Sequence, residues 1–193
     1  MDINSMKDGL KARLNEKRYQ HSMAVADEAK ALAEIFGASA DDAYIAGVLH
    51  DCAKNLNKEE AMEVSQRYGY EIDSVTLRFP PVIHAPVGAI VAEKEFGITN
   101  PEILDAIRYH TVAREKMTLL DKIIYVADLT EPNRDFCGVK AIRELSRKDI
   151  DLCYREALKR SLMFNIEKGR EIHPDTLYAW NEICKINKGR KDI

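Results

Sequence analysis

The sequence predicts an all-α fold in one domain. Apolar residues recur at spacings of three and four through long stretches of the chain, as expected for helices that bury one face. Runs of alternating β-branched or aromatic residues, which would predict strands, are absent from the sequence. At 193 residues the chain can fill one core but is too short for two full domains. We therefore expect a single helical bundle over residues 1–193.

The N-terminal half contains five predicted helices, over 11–36, 40–54, 58–68, 84–96 and 101–110. Gly37 and Gly69 follow the first and third helices as helix-ending glycines, and Ser39 is a good N-cap for the second. A proline pair at 80–81 breaks the chain before His84, which stands at the start of the fourth helix.

The C-terminal half contains three more predicted helices, over 118–128, 150–168 and 176–188. The basic stretch 185–191 is expected to be a solvated end. We divide the domain into a metal-binding core at about 16–135 and C-terminal helices at about 140–188 that pack on it.

Composition excludes several classes of protein. A net charge of −3 gives no general reason to bind nucleic acid or an anionic membrane. The polar N-terminus resembles neither a secretory signal nor a transit peptide, and no apolar run is long enough to span a bilayer. The four cysteines lie far apart without a C-x-x-C pair, which favours reduced thiols. We expect a cytoplasmic protein.

The dipeptide His50-Asp51 is the first candidate for chemistry. It follows the apolar residues Val48 and Leu49 near the end of a predicted helix, so it is expected at the rim of a protected pocket. Imidazole nitrogen and carboxylate oxygen are ligands for divalent Fe, Mn, Co or Zn. A His-Asp pair alone occurs by chance in many chains of this composition, so further ligands must come from other helices.

His21 and Asp128 are the candidates for those ligands. His21 is in step with apolar positions of the first helix, and Asp128 is in step with Leu120 and Ile124 on an apolar face. A buried carboxylate is costly unless it is paired or binds a metal. For Asp128, pairing with Arg134 or a role as the next N-cap is an equally good interpretation, and His21 alone fits an ordinary core histidine.

These residues carry a resemblance to a known family. The order His21, His50-Asp51, Asp128 resembles the H…HD…D signature of HD-domain phosphohydrolases, and His84 and His110 lie where some members place two further histidines. More narrowly, the chain resembles the YqeK family of bacterial symmetrical dinucleoside-tetraphosphate hydrolases. The resemblance covers almost the whole chain, and the segments that carry it lie at 18–22, 47–54, 84–88, 109–111, 127–134 and 173–177.

The resemblance implies a function and a set of site residues. It implies hydrolysis of diadenosine tetraphosphate into two ADP by a metal-activated water. The implied ligands of one or two divalent ions are His21, His50, Asp51 and Asp128. Iron is the first choice of metal. His50, Asp51 and Lys54 are the expected catalytic residues, with Asp51 as a candidate base. The expected substrate-binding residues are Arg18, Asp51, Cys52, Ala53, Lys54, His84, Tyr109, His110, Arg134, Arg170, Glu171, Ile172, His173, Pro174 and Asp175.

Several alternatives stay open at this point. The same metal residues would serve a hydrolase of a guanosine polyphosphate, a deoxynucleoside triphosphate or a cyclic phosphodiester. A non-catalytic helical module that binds nucleotides, with its histidines in the core, is a third interpretation. His84 and His110 could hold a second ion or contact phosphate, Tyr109 could stack on a base or pack in the core, and a homodimer is left open.

Overall fold

A computed structural model describes residues 2–189, with side chains to residue 185. This part of the chain contains helices and no strand, so the predicted all-α class is confirmed. The end of the basic stretch, 190–191, lies outside the described residues. The helices are α1 (Ile3–Arg13), α2 (Glu16–Phe36), α3 (Ala40–Leu49), α4 (Lys58–Arg67), α5 (His84–Lys94), α6 (Pro101–Tyr109), α7 (Leu119–Thr130), α8 (Val139–Ser146), α9 (Ile150–Glu167) and α10 (Pro174–Gly189).

The prediction of one continuous helix over 11–36 is wrong. Leu14 has an extended backbone with φ −107° and ψ 149°, and it separates α1 from α2. The side chain of Asn15 accepts a hydrogen bond from the backbone N–H of Arg18 and so caps the start of α2. Because asparagine satisfies helix N-terminal N–H groups well, a new helix begins here although the apolar periodicity continues through the break.

The second predicted helix ends earlier than expected. Helix α3 ends at Leu49, and residues 50–55 form tight turns. The N–H of Cys52 donates to the carbonyl of Leu49 over 3.0 Å, and the N–H of Lys54 donates to the carbonyl of Asp51 over 2.9 Å. The predicted continuation of this helix from His50 to Lys54 is therefore wrong, since these hydrogen bonds span three residues instead of four.

Helix α8 was not predicted as a separate helix. It begins after Gly138, whose φ of 88° suits glycine, and it buries Val139 and Ile142. The helix has only 8 residues, so its periodic signal is short. The other helices begin and end within about two residues of their predicted bounds, the usual scatter at helix termini.

Helix α7 lies at the centre of the bundle. It contacts α2, α3, α6, α8 and α9, and Ile123, Ile124, Val126 and Ala127 on it are fully buried. Helices α2 and α3 approach each other closely at Gly47, where an added Cβ would lie 2.6 Å from Cα of Ala26. This contact between backbones positions the end of α3 against α2.

The C-terminal helices pack on this core. Helix α9 contacts α7 and α8, and α10 contacts α9. Leu158 on α9 is fully buried, and the hydroxyl of Thr176 on α10 donates to the carbonyl of Val112 over 2.8 Å. Within residues 2–189, no helix has the length and apolar character needed to cross a membrane.

Candidate metal centre

Six potential ligands from five parts of the bundle meet in one cluster, which we call the histidine cluster. His21 comes from α2, His50 and Asp51 follow α3, His84 is the first residue of α5, His110 follows α6 and Asp128 lies on α7. Ligand atoms lie within 4.8 Å of one another in three overlapping groups. The groups are His21, His50 and Asp51; His50, His110 and Asp128; and Asp51, His84 and His110.

The four histidines of the cluster share one hydrogen-bonding arrangement. Each Nδ1 lies near an oxygen acceptor: the carbonyls of Gly47, Ile107 and Pro81 for His50, His110 and His84, and the carboxylate of Glu131 for His21. The distances are 2.7, 2.7, 3.0 and 3.1 Å in that order. Since a neutral imidazole carries one proton, this arrangement places it on Nδ1 and leaves a lone pair on Nε2.

The Nε2 atoms lie next to the two carboxylates. Oδ1 of Asp51 lies 3.1 Å from Nε2 of His84 and 3.6 Å from Nε2 of His110. Its other oxygen, Oδ2, lies 3.7 Å from Nε2 of His50. Oδ1 of Asp128 lies 3.0 Å from Nε2 of His21. The carboxylate of Asp51 thus lies between the side containing His50 and the side containing His84 and His110.

Buried polar atoms without partners test whether these residues fit a cation. Nε2 of His50 and Oδ1 of Asp51 are buried and have no hydrogen-bond partner among the described residues. Lone pairs that face one another are unfavourable in a buried site unless a proton or cation lies between them. The ammonium group of Lys54 supplies one positive charge, 3.0 Å from Nε2 of His84. The donor set and the unpaired atoms fit a divalent metal.

Electrostatics keeps most ligands in the form that metals bind. Burial lowers the pKa of His50 and of His84 to about 4, so both imidazoles are neutral at pH 7. Burial opposes ionisation of Asp51, but the histidines around it, His50 first, outweigh burial and hold its pKa well below the usual range. Neutral imidazoles and an ionised carboxylate can bind a metal without first losing a proton.

His21 and Asp128 form a coupled pair in the same cluster. Burial lowers the pKa of His21, but contact with Asp128 and then Glu131 outweighs it, and the net shift is upward. For Asp128, burial opposes ionisation, while His21 and the charge of Arg134 lower its pKa well below the usual range. A metal would therefore compete with a proton at His21.

Three cations surround the carboxylates of the cluster. Arg18 lies 3.3 Å from Oδ2 of Asp51, and Lys54 lies 3.7 Å from Oδ1 of the same residue. Arg134 donates to both the backbone carbonyl and the carboxylate of Asp128. Asp128 thus pairs with Arg134, as one interpretation of the sequence expected. It also lies beside His21 in the histidine cluster. Its alternative role as an N-cap is wrong, because α7 continues to Thr130.

Three residues expected near a substrate lie in or against the core. The side chains of Cys52 and Ala53 are buried, and the thiol of Cys52 donates to the carbonyl of Gly88 over 3.4 Å. The ring of Tyr109 is half-buried and lies under the guanidinium of Arg114, 4.6 Å from its centroid. One face of Tyr109 is therefore already covered by this cation.

The segment 170–175, which leads into the first turn of α10, packs against the segment that precedes α5. His173 is buried, and its ring lies 5.0 Å from the ring of Phe79 in an edge-to-face arrangement. Glu171 pairs with Arg78 over 3.1 Å at the surface. The guanidinium of Arg170 lies over the ring of Phe164, 5.2 Å from its centroid. The remaining expected residues of this segment, Ile172, Pro174 and Asp175, are half-buried.

Glu131 belongs to the site but was not predicted as a functional residue. It is almost fully buried, caps the end of α7 and contacts Nδ1 of His21. Its other oxygen accepts from the N–H of Asn133 over 2.6 Å. Its sequence signal was available, since a glutamate beside Pro132 follows Asp128 by three residues within the segment 127–134.

Comparison with known proteins decides the family. The HD domain family matches residues 18–133, which is more than half of the chain and includes all six residues of the histidine cluster. The chain belongs to the HD domain family. This HD domain is 41% identical over 172 residues to the symmetrical bis(5'-nucleosyl)-tetraphosphatase of Bacillus subtilis, a match that covers 89% of this chain and 92% of that protein.

Further relatives agree with this family. The symmetrical bis(5'-nucleosyl)-tetraphosphatase of Staphylococcus aureus is 36% identical over 184 residues, covering 94% of each chain. A crystal structure described as a predicted HD superfamily hydrolase involved in NAD metabolism, from Clostridium acetobutylicum, matches with a TM-score of 0.92 at 37% identity. It covers 96% of this chain and 98% of its own. The family and the histidine cluster together assign this HD domain a divalent-metal centre.

Proposed function

We propose that this HD domain hydrolyses diadenosine tetraphosphate symmetrically, giving two ADP. The observation that carries the proposal is the histidine cluster, whose unpaired Nε2 and carboxylate atoms fit a divalent metal. Relatives that match over most of the chain are named symmetrical bis(5'-nucleosyl)-tetraphosphatases, which supports the substrate and the position of cleavage. A bound divalent ion would lower the pKa of a water and polarise the phosphoryl oxygen.

The reaction is a balanced hydrolysis of the central phosphoanhydride. Water adds to one of the two inner phosphorus atoms, the bridging P–O bond breaks, and each half leaves as ADP. We propose His21, His50, Asp51 and Asp128 as the metal ligands. Asp51 is also the proposed proton acceptor for the attacking water, because its carboxylate lies among the proposed metal ligands.

Cations around the cluster would offset the charge of the polyphosphate. Diadenosine tetraphosphate carries about four negative charges, more than one metal ion can balance. Arg18, Lys54 and Arg134 contact the carboxylates of the cluster and are the proposed phosphate ligands. Lys54 is half-buried, so its charge would interact more strongly with a bound phosphate than a fully exposed charge would.

A second ion is part of the proposal. His84 and His110 lie 3.1 Å and 3.6 Å from Oδ1 of Asp51, while His50 lies 3.7 Å from Oδ2. This carboxylate and the imidazoles on its two sides would hold two ions. We propose iron as the native metal and a cytoplasmic location for the protein. We also propose one domain over 1–193, in which helices α8, α9 and α10 pack on the metal-binding core.

Product analysis tests the proposed activity. The purified protein, supplied with Fe²⁺, Mn²⁺ or Co²⁺, is incubated with diadenosine tetraphosphate, and the nucleotides are separated by chromatography. We expect ADP alone. AMP together with ATP would mean asymmetric cleavage, and turnover confined to another nucleotide of a panel would replace the substrate class.

Two ligand variants test the metal centre. His50→Ala and Asp128→Ala are expected to lose the bound metal and to lower the rate by at least about 100-fold, because each removes a proposed ligand. The metal content of each purified variant is measured by elemental analysis. Wild-type rates in either variant would favour a non-catalytic nucleotide-binding module.

A further inference from the structure

A large cavity adjoins the histidine cluster along helix α9. Its volume is about 820 Å³, within the range of small-molecule sites and large enough for a nucleotide. His110, Asp128 and Arg134 connect it to the cluster, and we call it the α9 cavity. The residues of α9 that line this cavity have no role in the proposed function.

The lining of the α9 cavity has the chemistry of a nucleoside site. Phe136 and Phe164 contribute aromatic rings, and Arg160 and Lys159 contribute cationic groups. The guanidinium of Arg160 already lies 5.0 Å from the centroid of the Phe136 ring. Purine bases stack on aromatic rings and on guanidinium planes, so this lining suits a base.

A second, smaller cavity touches the cluster elsewhere. It has a volume of about 220 Å³ and is lined in part by Lys54, His84, Pro80 and Pro81. The residues that line it are all different from those that line the α9 cavity. The cluster therefore opens into two separate spaces, one past His110 and Asp128 and one past Lys54 and His84.

Two separate spaces suit symmetric cleavage. The reacting bond is at the middle of diadenosine tetraphosphate, and the two ADP halves on either side of it are chemically identical. When this bond lies at the metal centre, the two halves of the bound substrate extend from it in different directions. We propose, resting on the proposed function, that the α9 cavity holds the nucleoside of one half, with its base against Phe164 and Phe136. The other half of the bound substrate extends past Lys54 and His84.

Kinetics of Phe164→Ala tests this assignment. Phe164 is 49% exposed, so its removal is expected to leave the fold intact. Loss of one stacked base is expected to raise KM for diadenosine tetraphosphate about tenfold while kcat changes less than about twofold, because the contact is equal in ground and transition states. Phe164→Tyr should retain the wild-type KM. Ile166→Ala is the matched control, since Ile166 is also exposed on α9 but does not line the cavity.

A photolabel gives a readout besides activity. The metal-loaded wild-type protein is irradiated with 8-azido-ADP, and labelled peptides are mapped by mass spectrometry. We expect label within 156–167 or on Phe136. Label confined to 54–58 or to residues 171–175, or an unchanged KM in Phe164→Ala, would overturn the assignment. If wild type makes no ADP from diadenosine tetraphosphate, the proposed function fails first; if it does, these outcomes test the α9 cavity alone.

Discussion

Nδ1 of His21 lies 3.1 Å from Oε1 of Glu131, and the glutamate side chain is almost fully buried at the end of α7. The two residues are 110 positions apart in the chain. A hydrogen bond from Nδ1 directs Nε2 of the same ring toward Asp128 and the centre of the cluster. Glu131 is thus a positioning residue for His21.

Replacing Glu131 tests this positioning role. Glu131→Ala is expected to weaken Mn²⁺ binding about 10- to 100-fold, because the His21 ring loses the acceptor that orients it. Glu131→Gln keeps an oxygen acceptor and should lose less affinity. Titration calorimetry measures both, with the exposed Glu63→Ala as control. A wild-type Mn²⁺ affinity in a folded Glu131→Ala protein would contradict the role.

Lys54 offers a test of the phosphate clamp. Its ammonium group lies 3.0 Å from Nε2 of His84 and 3.7 Å from Oδ1 of Asp51. Lys54→Ala is expected to lower kcat/KM for diadenosine tetraphosphate by about 100-fold, because one half-buried charge next to the polyphosphate is lost. Steady-state kinetics measures the change. Lys17→Ala, on the exposed surface of α2, should behave as wild type, and a similar loss there would point to a general charge effect.

The contact between α2 and α3 predicts a difference between two glycines. An added Cβ at Gly47 would lie 2.6 Å from Cα of Ala26, whereas at Gly88 it would meet its nearest neighbour, a methyl of Ile107, at 3.5 Å. Gly47→Ala should therefore lower the free energy of unfolding by about 2 kcal/mol, since helix backbones must separate. Gly88→Ala should leave it unchanged or raise it by up to about 1 kcal/mol. Urea unfolding of the two variants measures this difference, and equal values would contradict the packing.

Stability at alkaline pH follows from a buried thiol. Burial, and then the charges of Asp149, Glu28 and Glu156, raise the pKa of Cys153 from 9.0 to about 12. Above pH 9 the thiol loses its proton in the unfolded chain but keeps it in the folded chain. The contribution of Cys153 to the free energy of unfolding is therefore fully present below pH 9 and is lost as the pH rises toward 12. Cys153→Ala should make unfolding less dependent on pH between 8.5 and 10.5. An unchanged pH dependence in urea unfolding would argue against this contribution.

The fold was largely predictable because helix formation is local. Periodicity and capping residues are contained in short windows, and they predicted the class and most helix bounds. The errors occurred where two local signals compete. Apolar spacing continues across Leu14 and Asn15, yet the Asn15 cap divides α1 from α2. Likewise, apolar residues lead into His50, but turns replace the helix after Leu49.

The sequence by itself determined the all-α class, the helix-end positions of His84 and His110, and the residue types of a metal site. Only the tertiary structure decided that four Nε2 atoms and two carboxylates converge, and that Glu131 orients His21. It also decided that Tyr109 lies under Arg114 and that a cavity extends from the cluster along α9. The physical reason is distance along the chain: these contacts join residues from different helices, and their geometry depends on how whole helices pack.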